Sequence, residues 1–149
     1  MGKYKQGIFK PKFKAKYKGN LAKNPPVYRS SWELKVMLKL DDHPDVLEWS
    51  SEGIVIPYRS PVDNKIHRYF VDFYIKLKNK NGEINTLVVE VKPFKETMPP
   101  VKKKNMREKR FLQEVFTWGV NEAKWNAARE WCKKKNYKFE IWTEKDLGI

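Results

Sequence analysis

The segment Thr86-Leu87-Val88-Val89-Glu90-Val91-Lys92 restricts the fold more than any other: it is apolar and β-branched, it ends at Pro93, and it carries two charges where burial favours apolar residues. Side chains of a strand alternate between faces. Leu87, Val89 and Val91 therefore point one way and Val88, Glu90 and Lys92 the other, with Glu90 and Lys92 roughly 7 Å apart along one face. A strand needs a neighbour, and the chain supplies one just before it. In Tyr69–Leu77, Val71, Phe73, Ile75 and Leu77 alternate with Phe70, Asp72, Tyr74 and Lys76. The stretch Asn79–Asn85, containing Gly82, reads as the hairpin turn between the two. Hairpin pairing can bring Asp72 opposite Glu90.

The flanking segments complete the order. Trp32, Val36 and Leu40 recur at spacing four with Met37 beside them, until His43-Pro44 stops the pattern, which predicts a helix over 31–41. Gly53–Tyr58, with Ile54, Val55 and Ile56, reads as a first strand. Beyond the loop at Phe94–Lys104, helical spacing returns at Leu112, Val115 and Phe116 and again at Ala123, Ala127, Ala128 and Trp131, with Gly119 read as a break between two helices. A last strand covers Tyr137–Trp142. Helix, three strands, helices and strand make an α/β fold: a mixed sheet flanked by helices.

A chain of 149 residues suits one domain. Residues 1–28 are set apart as a basic arm, with eight lysines, no acid, and Tyr4, Phe9, Phe13 and Tyr17 interleaved; residues 29–149 form the domain proper. Such an arm either tracks a phosphate backbone and stacks on bases, or folds its aromatics back onto the domain. The formal charge of +14 favours phosphate-rich polymers as partners. The single Cys132 excludes an internal disulfide framework and a cysteine-rich zinc site. No apolar run approaches the roughly 20 residues of a membrane span, and no signal segment is visible. A protein that is neither secreted nor membrane-bound is expected.

Two carboxylates facing each other repel unless a cation lies between them. Oxygen ligands without His or Cys favour a hard ion, Mg2+ or Mn2+, which lowers the pKa of a bound water and neutralises charge building on phosphorus. Lys92 beside them can orient the nucleophile or stabilise that charge. The chemistry indicated is phosphodiester hydrolysis. Blander readings stand alongside. Glu33 follows Ser30 at capping-box spacing, Asp72 can pair with Arg68 or Lys76, and Glu90 with Lys92 can be a surface ion pair of little value. Glu52 reads as turn chemistry, and the Trp118, Trp125, Trp131 group as core. A basic protein that binds DNA without cutting it, plugging or stabilising an assembly, is the alternative class.

Asp72 followed by Glu90-Val91-Lys92, with Glu33 on a preceding helix, resembles the signature of the PD-(D/E)XK nucleases. The element order resembles their restriction-endonuclease-like αβββαβ core. Longer runs carry a narrower likeness: Tyr28-Arg29-Ser30-Ser31-Trp32-Glu33, Trp49-Ser50-Ser51-Glu52, Arg68-Tyr69-Phe70-Val71-Asp72, and Glu90-Val91-Lys92-Pro93 through Pro99-Pro100-Val101. Over residues 28–145 these are similar to head completion nucleases of contractile-tailed bacteriophages, and more distantly to TnsA-like endonucleases. Residue 71 is Val where the superfamily name has Pro.

The resemblance implies a Mg2+-dependent deoxyribonuclease with Glu33, Asp72, Glu90 and Lys92 as catalytic residues and Asp72, Glu90 and Glu33 as metal ligands. Arg29, Arg68, Lys95 and, from the arm, Lys12, Lys14 and Lys16 are assigned to the DNA backbone. DNA and phage head or neck proteins are the implied partners, and the host cytoplasm during virion assembly, or the virion itself, the implied place.

Overall fold

A computed structural model describes residues 6–149; Tyr4, counted above among the arm aromatics, lies outside them. After β1 (Gly7–Ile8) and β2 (Val27–Tyr28), the domain runs α1 (Ser31–Asp42), β3 (Val46–Arg59), β4 (Ile66–Lys78), β5 (Ile84–Val91), α2 (Glu108–Lys135), β6 (Lys138–Trp142) and α3 (Glu144–Leu147). Among the described residues the large sheet has the order β3-β4-β5-β6, antiparallel except for the parallel β5–β6 pair. The expected αβββαβ order and mixed sheet are observed.

β4 and β5 begin earlier than expected, at Ile66 and Ile84, and β6 matches its expected span to within one residue. β3 begins seven residues before the expected Gly53, because Val46–Ser51, with Glu48 and two serines, lacks a clear strand pattern yet pairs with β4 across an irregularity at Leu47. The expected break at Gly119 is absent: α2 is one helix of 28 residues. A glycine that ends a helix takes a positive φ, and Gly119 does not. Its cost of about 1 kcal/mol relative to alanine is met by the packing of Trp125, Ala128 and Cys132 against the sheet.

The sheet is covered on both faces. Trp32, Val36, Met37 and Leu40 of α1 pack with Trp49, Phe73, Ile75, Val89 and Val91. Trp125, Ala128 and Cys132 of α2 pack with Ile56, Tyr58, Tyr69, Val71 and Val88. Strict alternation along β4 would keep Val71 and Phe73 together, but they join different clusters, so the inward-facing residues slip by one across Asp72. A β-bulge in β3, between Ser51 and Ile54, lies beside the slip and supplies its cause, since a bulge adds twist and re-aims side chains.

The described part of the arm folds back on the domain. Phe9 and Tyr17 meet the Trp49 ring edge-on, at centroid separations of 5.8 and 4.8 Å. The N–H groups of Lys12 and Phe13 donate to the Asp41 carboxylate at 2.8 and 3.2 Å. Among the described residues no helix is long and apolar enough to cross a membrane.

Candidate active site

The site forms where the sheet divides. The β4–β5 ladder runs from Lys78 opposite Ile84 to Phe73 opposite Val89 and stops. The next rung in that register would be Asp72 opposite Glu90, the juxtaposition hairpin pairing suggested, but the strands separate there. The Val91 N–H, left without a strand partner, donates to Asp72 Oδ2 at 2.8 Å. The bulge in β3 removes the partner of Asp72 on the other side. Two like charges at the end of a ladder are reason enough for it to open.

Glu90 is buried, 7 % exposed, on the α2 side with Val88. The Tyr69 hydroxyl donates to its Oε1 at 2.6 Å, and Lys92 Nζ lies 3.5 Å from its Oε2. The pair is thus too sheltered for the surface reading. Glu33 sits in the first turn of α1, where the cap and the site coexist. Its N–H donates to the Ser30 hydroxyl at 3.2 Å, while its own Oε1 accepts the Arg29 N–H at 3.3 Å instead of closing the capping box on Ser30. Asp72, Glu90 and Glu33 share a pattern: each has one oxygen fixed by a protein donor.

Burial and the neighbouring Glu90 charge raise the Asp72 pKa well above the carboxylate range, against the pull of the Val91 N–H; burial raises Glu33 likewise. Burial beside Glu90 also pushes the Tyr69 phenol far up, so it stays a proton donor. A carboxyl whose folded pKa exceeds its unfolded value contributes stability below the unfolded pKa that is lost as pH rises through the folded one. The metal-free protein therefore stabilises on acidification from neutral pH toward the ordinary carboxylate range. For the same reason Asp72→Asn, whose amide oxygen still accepts from Val91, raises the Tm of the metal-free protein at neutral pH, by roughly 2–4 °C per kcal/mol of repulsion relieved. A melting scan in EDTA that shows a lower Tm would refute this account.

Sequence reasoning passed over two residues that the structure brings in. Tyr69 has no role in the sequence beyond opening the second strand, and its hydroxyl contact appears only once β4 and β5 are placed. Glu52, which reads as turn chemistry in the sequence, occupies the β3 bulge at φ 53° and accepts from Arg29 Nη1 at 2.7 Å. A hint was present in Glu52-Gly53, an acid and a glycine interrupting a β-rich run. Arg29 interacts electrostatically with Glu52, Glu33 and Asp72, the first two raising its pKa most.

The other assigned cations are scattered. Lys95 lies in a short 3-10 turn, Phe94–Thr97, just beyond Lys92. Arg68 stacks on Phe70 toward the far end of β4, about 13 Å along the strand from Asp72. Lys12 and Lys14 project from the arm, exposed, whereas Lys16 Nζ donates to the carbonyls of Asp41 and His43 at 2.8 Å each, closing the C-terminus of α1. Among the described residues no three His, Cys, Asp or Glu side chains converge into a ready-made metal cage.

The sequence profile of the family described as TnsA-like endonuclease N terminal matches residues 43–144. A head completion nuclease of Enterobacteria phage T4 is 40% identical over 144 residues, which covers 95% of this chain and 92% of that protein.

Proposed function

The chain belongs to the TnsA-like endonuclease family and is a nuclease; from that premise we propose that it hydrolyses DNA phosphodiester bonds with Mg2+ held by Asp72 and Glu90, assisted by Glu33. The observation that carries the assignment is the shared pattern of those carboxylates: Val91, Tyr69 and Arg29 each fix one oxygen, and the second oxygen of Glu90 lies 3.5 Å from Lys92 Nζ, so carboxylate and ammonium stand side by side. The donor set fits the ion. All donors are hard oxygens, and Mg2+ uses one or two carboxylates with water and substrate phosphate in place of an all-protein cage. Manganese satisfies the same set.

When bound, the ion lowers the pKa of a water and offsets the negative charge of the transition state. The chain's own residues do the rest. Tyr69 holds the Glu90 carboxylate in one orientation, and the Val91 N–H does the same for Asp72. Lys92, beside Glu90, presents its ammonium to the reacting phosphate or its nucleophile. Arg29, Lys95, Lys12 and Lys14 contact the flanking backbone; Lys16, spent on α1, contributes least. Given the relative's name and the near-complete overlap, the DNA is that of a filled phage head, trimmed in the host cytoplasm before the head is closed, with head or neck proteins as partners.

Incubation with supercoiled and linear DNA tests this. Cleavage occurs with Mg2+ or Mn2+, disappears in EDTA, and returns when the ion is added in excess. Undiminished cleavage in EDTA overturns the metal assignment.

A further inference from the structure

The pair formed by Arg29 and Glu52 is half-exposed at both ends, and an isolated exposed ion pair contributes little. Three features set this one apart. Glu52 holds a left-handed backbone, φ 53°, which costs a non-glycine residue energy and persists only where the surroundings impose it. The surroundings do impose it. The Ser51 N–H donates to the Tyr17 hydroxyl at 3.2 Å, the Lys18 N–H donates to the Trp49 carbonyl at 2.8 Å, and a Cβ on Gly53 would lie 2.7 Å from the hydroxyl oxygen of buried Ser50. Finally, the strained residue delivers a fourth carboxylate to a crowded acidic site, where it meets the guanidinium of the residue that precedes the N-cap of α1.

From this we infer that Glu52 is a positioning residue for Arg29, holding its guanidinium at the mouth of the site so that it forks onto a DNA phosphate next to the one being cut. The inference rests on the nuclease site proposed above. One guanidinium nitrogen is engaged by Glu52, which leaves further donors for the planar, bidentate grip that suits phosphate. The N-terminus of α1 adds its positive end on the same side. The arm acquires a role that needs no DNA contact: Tyr17 and Lys18 brace the bulge that carries Glu52.

Simple charge arithmetic makes the opposite forecast. Removing an acid from a basic protein strengthens its attraction to DNA, whereas removing a positioning acid weakens cleavage. The test measures kcat/KM on linear duplex, Tm, and Mn2+ binding without DNA, for Glu52→Gln, Glu52→Gly, Arg29→Ala and the Glu52→Gln/Arg29→Ala double variant. Glu52→Gln and Arg29→Ala each lower kcat/KM roughly 10- to 100-fold, the scale of a small misplacement, and the double variant is no worse than Arg29→Ala. Glu52→Gly lowers kcat/KM while raising Tm, because glycine adopts the left-handed conformation freely. In a Lys92→Ala background, Arg29→Ala reduces the salt slope of duplex binding by about 0.9, one phosphate contact. Unchanged or faster cleavage by Glu52→Gln, additive losses in the double variant, or weakened Mn2+ binding by Glu52→Gln would each overturn the inference, the last by making Glu52 a ligand. If Lys92→Ala itself cleaves normally, the underlying site is wrong; if it is inactive and the losses add, only the role of Glu52 falls.

Discussion

Lys92→Ala lowers kcat for DNA cleavage by roughly 10²–10³-fold, the loss that follows removal of one preorganised charge aimed at a developing anion. Duplex affinity changes little, since one lysine among 32 Lys and Arg makes at most one phosphate contact. The size of the effect follows from the surroundings of the ammonium. It lies 3.5 Å from Glu90 Oε2 and is only 24 % exposed, so the field it exerts on the phosphate is weakly screened. Its main-chain N–H donates to the Trp142 carbonyl at 2.9 Å, so the stem starts from a fixed point of the sheet. The truncation also leaves the buried Glu90 charge without its cation, so some loss of Tm accompanies the loss of rate. Measuring single-turnover rates well below the melting range separates the two. A variant that retains more than a tenth of the rate would exclude Lys92 from the chemistry.

Trp49→Ala costs about 3–5 kcal/mol of folding stability, which lowers Tm by roughly 6–20 °C for a chain of this size. Trp49 is 0 % exposed and joins three parts of the molecule: α1, the sheet, and the arm residues Phe9 and Tyr17. Truncation empties the centre of that cluster. The indole Nε1 is buried without a hydrogen-bond partner, so Trp49→Phe, which removes that orphan donor and keeps a ring, loses clearly less. Calorimetry on the three proteins decides the matter; a Trp49→Ala loss within about 0.5 kcal/mol, the range of a surface change, would mean that the arm does not seal this core.

The two expectations differ in how they could be read. Lys92 and Glu90 were visible because strand alternation exposes a charged pair among valines. Asp72 was visible as an acid on the adjoining strand, although the slip in β4 that isolates it was not. Its cause lies in β3, some twenty residues earlier, and a single strand's periodicity carries no trace of its neighbour's bulge. Tyr69 was hidden for a related reason: a buried tyrosine looks like core until its hydroxyl is shown to reach a carboxylate. The arm's lysines advertised its charge, yet the contacts that fix it run through main-chain N–H groups to Asp41 and through two aromatic rings to Trp49. Backbone donors have no sequence signature. Glu33 divided its readings because a capping residue and a ligand need the same place at a helix start; here its main-chain N–H meets the Ser30 cap while its carboxylate accepts from Arg29.

The open rung between Asp72 and Glu90 also gives the molecule an internal spectroscopic probe. The amides of β5 that join the ladder with β4 answer to peptide carbonyls, whose charge is constant, whereas the amide of Val91 is held by the Asp72 carboxylate, whose ionisation changes with pH. In a 15N-resolved spectrum that one resonance is expected to respond to pH, and to an added cation if Asp72 binds it, without any label on the acids themselves, and its solvent-exchange rate reports whether the fork between the strands is shut or gaping.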